Sequence, residues 1–104
     1  MKKITIYTLV GCPYCEKFKD NLKSININFI EKQCIDHENE CSELEYLSRC
    51  DLYPMCKIEN SDGTLILCMP DEYKEIGKII KLEHNKKIIL VHSIDNMLQF
   101  IKNT

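Results

Sequence analysis

Cys12 and Cys15 stand two residues apart in Gly11-Cys12-Pro13-Tyr14-Cys15, and five further cysteines lie downstream in a chain of 104 residues. A Cys-x-x-Cys pair can clamp a metal ion or trade two electrons as a dithiol. Its flanks favour electron exchange. A strand-like run, Ile4 to Leu9, comes directly before it and a helix-like run, Glu16 to Ser24, directly after. With Pro13 as the first helical residue, Cys12 falls at the N-cap, where backbone N–H groups without helical partners and the positive end of the helix dipole stabilise a thiolate. Cys12 is then the attacking sulfur. Cys15, one turn further in, is placed to resolve the mixed disulfide that Cys12 forms with a substrate. Zinc would need two more ligands, and the spacing Cys34-x6-Cys41-x8-Cys50-x5-Cys56 contains no second short pair of the usual kind. The alternative kept open is a module that binds a metal or an iron–sulfur cluster through Cys12 and further cysteines.

The elements that must hold this pair follow from periodicity. Lys3 to Thr8 reads as a first strand. Cys15, Phe18, Leu22 and Ile25 recur at helical spacing opposite Glu16, Lys17, Lys19, Asp20 and Lys23, an amphipathic helix whose inner stripe faces a sheet. Ile27 to Cys34 reads as a second strand, which a crossover of this length makes parallel to the first. Asp36 is a candidate N-cap for a second helix through Arg49, with Cys41, Leu44, Leu47 and Ser48 inward and Glu38, Glu40, Glu43 and Glu45 on a solvated face. Met55 to Glu59 and Thr64 to Met69 flank the turn Ser61-Asp62-Gly63 and read as a hairpin. Two patterns compete next. Pro70-Asp71-Glu72 resembles a helix start with Tyr73 and Ile76 on one side, whereas Lys78 to Glu83 and Lys87 to His92 resemble two strands around His84-Asn85-Lys86. Ser93 is the N-cap of a final helix with the apolar stripe Ile94, Met97, Leu98 and Ile101.

Composition bounds the class. The chain is 44% hydrophobic with a formal net charge of −2, a size and balance that suit one domain and give no basic surplus for nucleic acid. Thr5, Tyr7 and Thr8 interrupt any signal-peptide core after Met1-Lys2-Lys3, and no stretch is long enough to cross a membrane. A cytoplasmic monomer is expected. An odd number of cysteines forbids complete internal pairing, and in a reducing compartment Cys34, Cys41, Cys50, Cys56 and Cys68 read as small buried hydrophobes. Cys56 has a sharper reading, a third redox-active thiol, set against a core residue of the third strand. His37 and His84 read as surface residues and His92 as a strand-end residue.

Cys-Pro-Tyr-Cys after a first strand, then helix, strand, helix and an X-Pro step into a third strand, resembles the glutaredoxins of the thioredoxin-like superfamily. The resemblance implies an α/β fold, a mixed four-stranded sheet flanked by helices, with an insertion or extra hairpin between residues 60 and 86. It implies a thiol-disulfide oxidoreductase acting on protein disulfides or glutathione mixed disulfides. Cys12 is the nucleophile and Cys15 the resolving thiol. No cofactor is tightly bound, and glutathione is the expected reductant, with a dithiol reductase as the other choice. Pro54 matches the family's cis-proline, Tyr53 offers the backbone that pairs with substrate, and Pro13 and Tyr14 border the groove. Leu9 stands where the family usually carries Lys or Arg, Leu52-Tyr53 replaces Thr-Val, and the Gly-Gly pair is missing. Lys87 to Asp95 is preferred over Leu65 to Asp71 as the replacement for the Gly-Gly-X-Asp element, since its helix start offers Ser93 and backbone donors to a carboxylate. That choice makes Asn60 to Lys86 an insertion between the last two core strands.

Overall fold

Apolar side chains occupy successive positions of the central strands rather than alternate ones, so both faces of the sheet have to be covered. The computed structural model describes residues 2–71, 78–81 and 87–102. In chain order these form β1 (Lys3–Thr8), α1 (Pro13–Ser24), β2 (Ile30–Gln33), a 3₁₀ turn (Cys34–Asp36), α2 (Glu38–Ser48), β3 (Met55–Glu59), β4 (Leu65–Met69), β5 (Lys78–Lys81), β6 (Lys87–His92) and α3 (Ile94–Lys102). The strands make one mixed sheet in the order β2-β1-β3-β4-β6-β5.

Period-two alternation sorts the core into two clusters. Ile4, Ile6, Cys56, Ile58, Ile66, Cys68 and Val91 face Phe18 and Leu22 of α1 and Met97 and Ile101 of α3. Their neighbours along the strands, Tyr7, Met55, Leu67, Met69, Ile88 and Leu90, turn to the opposite face with Cys41 and Leu44 of α2. The result is a layer of helices on each side of the sheet. This is the α/β thioredoxin-like class that the resemblance implied.

The pairing corrects two details of that expectation. The sheet has six strands, two beyond the expected core of four. Leu65–Met69 pairs antiparallel with β3, Cys56 opposite Cys68 and Glu59 opposite Leu65, and so takes the place beside β3 that had been assigned to Lys87–Asp95. Lys87–His92 lies outside it, parallel to β4, with β5 antiparallel on its far side. Asn60 to Lys86 is therefore not an insertion between two core strands. It contains β4 itself and the edge strand β5. The physical reason is local: Asn60 and Thr64 close a tight hairpin through Asn60 N–H to Thr64 O (3.0 Å), with Gly63 at φ +89°, and a hairpin this short brings its two arms side by side. The competing helix start falls on residues 72–77, and the turn around His84 on residues 82–86; both lie outside the described residues.

Smaller boundaries also move. β2 begins at Ile30 rather than Ile27. α2 begins at Glu38 with His37 at its N-cap, because Asp36 is spent in the 3₁₀ turn, and Arg49 ends it in the left-handed region at φ +53°. His37 is half-buried, and its Nδ1 lies 3.7 Å from Glu40.

Candidate active site

The site is built where β1 ends. Gly11, at φ +71°, turns the chain back after β1, a conformation that a side chain would strain. Cys12 follows in extended conformation and caps α1, with Pro13 opening the helix. Its Sγ accepts a hydrogen bond from the backbone N–H of Cys15 at 3.2 Å, and its carbonyl accepts from Glu16 N–H at 3.2 Å. The cap that the sequence led us to expect is therefore made by the sulfur itself. Cys12 and Cys15 are joined as a disulfide, with Cα atoms 5.2 Å apart. Cys15 is buried and Cys12 is partly exposed, so Cys12 is the sulfur of the pair that is open to solvent.

Across from the pair, the Tyr53–Pro54 peptide is cis, and the Tyr53 carbonyl lies 3.9 Å from Cys12 Sγ. Tyr53 is anchored from behind. Its ring is buried and its hydroxyl donates to Glu45 of α2 at 3.1 Å. Burial first, and then that hydrogen bond to Glu45, push the phenol pKa upward and keep the donor proton in place. Tyr14, Leu52, Tyr53, Pro70, Ser93, Ile94 and Asp95 line a groove of roughly 310 Å³ beside the dithiol. Four of the residues singled out in the sequence, Cys12, Tyr14, Tyr53 and Ser93, thus meet around one groove end, with Pro13 and Pro54 fixing the backbone on either side.

Both stretches weighed as the carboxylate-binding element arrive at this groove. In the parallel pairing of β4 with β6, Met69 lies opposite His92, which brings Pro70-Asp71 beside His92-Ser93. Ser93 N–H donates to Asp71 O at 2.9 Å, and His92 Nδ1 is 2.8 Å from Asp71 Oδ1. Ser93, at φ +74°, caps α3: its Oγ accepts from Asn96 N–H at 3.2 Å. His92 is buried under the groove rather than lining it.

Three features carry no obvious sequence signal. Glu31 of β2 accepts from Thr8 Oγ1 at 2.8 Å and from Lys19 Nζ at 2.9 Å, and Lys19 also pairs with Glu16. This knot fixes α1 against the end of β1, one turn behind Cys15. The hydrogen bond to Glu31 raises the Lys19 pKa, and the same contact lowers that of Glu31. Glu40 likewise ties α2 to the sheet, accepting from the buried Tyr7 hydroxyl at 2.7 Å and from Lys32 Nζ at 3.0 Å. Third, Cys34 and Cys41 form a disulfide across the 3₁₀ turn. The five downstream cysteines are all buried, as read, but two of them are bonded. β2 and β1 run parallel with Gln33 opposite Thr8, so Cys34 arrives at the same sheet end as Cys12.

Cys56 sits in the core beneath α1 and α3, in hydrogen-bonding contact with the Cys68 thiol; burial first and this contact second push its pKa well up, which suits a packing residue. Burial also raises the Cys50 thiol, whose sulfur accepts from Leu52 N–H at 3.5 Å. Among the described residues no three His, Cys, Asp or Glu side chains are grouped to hold a metal ion, and no helix is long and apolar enough to cross a membrane.

The comparisons with known proteins agree with this geometry. The glutaredoxin family model matches residues 4–60, the stretch from β1 through β3 that contains Cys12, Cys15 and Pro54. The uncharacterized glutaredoxin-like 8.6 kDa protein in the rubredoxin operon of Clostridium pasteurianum is 36% identical over 78 residues, covering 75% of this chain and 97% of that protein. No solved structure matches the chain. A cysteine sulfur capping the helix after the first strand, opposite a cis-proline that leads into the third, is thus seen in a chain that belongs to the glutaredoxin family.

Proposed function

We propose that this protein is a thiol-disulfide oxidoreductase of the cytoplasm, in which Cys12 is the nucleophile and Cys15 the resolving thiol. The observation that carries the reading is the Cys12 sulfur at the N-cap of α1, accepting the Cys15 N–H while standing half-exposed beside the groove. In the reduced protein the same N–H and the helix end stabilise Cys12 as a thiolate. The thiolate attacks one sulfur of a substrate disulfide, and the other sulfur leaves as a thiolate and takes a proton. Cys15 then attacks the Cys12 sulfur of the mixed disulfide. The second substrate thiol leaves, and the Cys12–Cys15 disulfide is closed. Two electrons have passed to substrate. Substrates are protein disulfides or glutathione mixed disulfides, held along the Tyr53–Pro54 backbone with Tyr14 and Ser93 at the groove walls. Glutathione or a dithiol reductase restores the dithiol, and the protein works as a monomer with no tightly bound cofactor.

Two variants test this. Cys12→Ser should abolish reduction of an insulin or small-molecule disulfide. Cys15→Ser should accumulate a mixed disulfide on Cys12, visible as a mass increase that dithiothreitol removes. Retained turnover in Cys12→Ser would overturn the assignment.

A further inference from the structure

The groove beside Cys12 has a composition that selects among disulfides, an inference that rests on the oxidoreductase reading just given. Two large apolar side chains of the groove lining stand in the open, Tyr14 at 67% and Leu52 at 53% exposed, and the turn leading to Cys12 carries two more, Val10 at 73% and Leu9 at 44%. Isolated exposed apolar residues are ordinary on a protein surface, but Tyr14 and Leu52 share one groove beside Cys12 and form an apolar docking wall.

The charge lining the groove is of one sign among the described residues. Among the described residues lining the groove, Asp95 is the charged one, and it stands in the first turn of α3, where it offsets the positive end of that helix. Asp51 is exposed next to Leu52. Neither Lys17 of α1 nor Arg49 at the end of α2 lines the groove. A small thiol carrying carboxylates meets no cationic side chain among the described residues of this lining. A cationic peptide meets Asp95.

We propose that the preferred substrate is a protein that presents its disulfide on an extended segment with apolar residues next to the cysteine and a Lys or Arg within reach of Asp95. In the reaction with such a segment the reduced Cys12/Cys15 dithiol gives two electrons to the disulfide, leaving two substrate thiols and the Cys12–Cys15 disulfide.

The test uses the full chain, fully reduced, against two synthetic peptides identical but for Lys or Glu two residues before a central cysteine flanked by leucines, each as a mixed disulfide with 2-mercaptoethanol. Bis(2-hydroxyethyl) disulfide serves as a neutral probe. A charge contact of about 5–6 Å through water is worth roughly threefold, so the Lys-to-Glu exchange should change the rate about tenfold at low ionic strength. At 0.5 M salt the ratio should fall toward unity, the screening length having shrunk to about 4 Å. Asp95→Lys should lower the Lys-to-Glu ratio several-fold. Leu52→Ser should slow both peptides relative to the neutral probe. Equal rates for the two peptides, or a ratio that Asp95→Lys leaves unmoved, would overturn the inference while the neutral probe is still reduced. A reduced protein that leaves the neutral probe untouched overturns the oxidoreductase reading, and this inference with it.

Discussion

Reduced Cys12 should react with iodoacetamide ahead of every other cysteine of the chain, and with a pH profile displaced to the acid side of a free thiol. The first part follows from exposure: Cys12 is half-exposed, whereas Cys15, Cys34, Cys41, Cys50, Cys56 and Cys68 are buried. The second can be worked from the cap. Converting the Cys15 N–H contact, 3.2 Å to Cys12 Sγ, from a neutral to a charge-assisted hydrogen bond contributes about 1 kcal/mol, and the end of the twelve-residue helix up to about 1 kcal/mol more. Together these favour ionisation about 30-fold, which raises the thiolate population at pH 7 roughly fifteenfold over a free cysteine. Each such thiolate is about fivefold less nucleophilic, since reactivity falls with basicity along a slope of about 0.4–0.5. The net acceleration is therefore only about threefold at pH 7, and the displaced profile is the sharper observable. Timed alkylation of the reduced protein across pH 5–10, read by mass spectrometry of the peptide containing Cys12, measures both. A profile coincident with that of the unfolded chain, or modification of Cys15 before Cys12, would refute the reasoning.

The Glu40 hub makes acid sensitivity predictable. Hydrogen bonds from Tyr7 and Lys32 lower the Glu40 pKa to about 2, so its contribution to stability is fully present above the ordinary carboxylate range and is lost as pH falls toward 2. Because the Glu40 side chain is 38% exposed, Glu40→Gln should cost only about 1 kcal/mol at pH 7 and should flatten the loss of stability between pH 4.5 and 2, as measured by urea unfolding at each pH. An unchanged acid limb would contradict the hub. The Cys34–Cys41 disulfide closes a short loop, with a sequence separation of 7, and Cys34→Ala/Cys41→Ala should lower the stability of the oxidised protein by roughly 2.5 kcal/mol. Under dithiothreitol, unfolding curves of the variant and the parent should converge.

How much of this was legible beforehand depends on the range of the cause. The dithiol, its cap and the helix behind it are consequences of neighbouring residues: Gly11 supplies the turn, Pro13 the helix start, and Phe18 and Leu22 the buried stripe, all within about a dozen positions. The X-Pro step at Tyr53 was equally readable, because only proline tolerates a cis bond cheaply. Sheet order was not. The Ser61-Asp62-Gly63 turn marks Leu65–Met69 as the hairpin partner of β3, but Lys87–His92 is another short apolar run and nothing local places it outside β4 and parallel to it.

The amino-acid sequence by itself determined which sulfur caps the helix and which lies one turn inside it, since that placement rests on Gly11, Pro13 and the residues next to them. Tertiary structure alone decided what surrounds them. The Glu31 and Glu40 knots, the Cys34–Cys41 bond and the meeting of Tyr14, Tyr53 and Ser93 at one groove each join residues whose approach depends on the packing of helices on a twisted sheet or on the path of a turn. Residue type sets what such groups do once close together. Their closeness is a property of the assembled layers, and no periodicity in the chain encodes it.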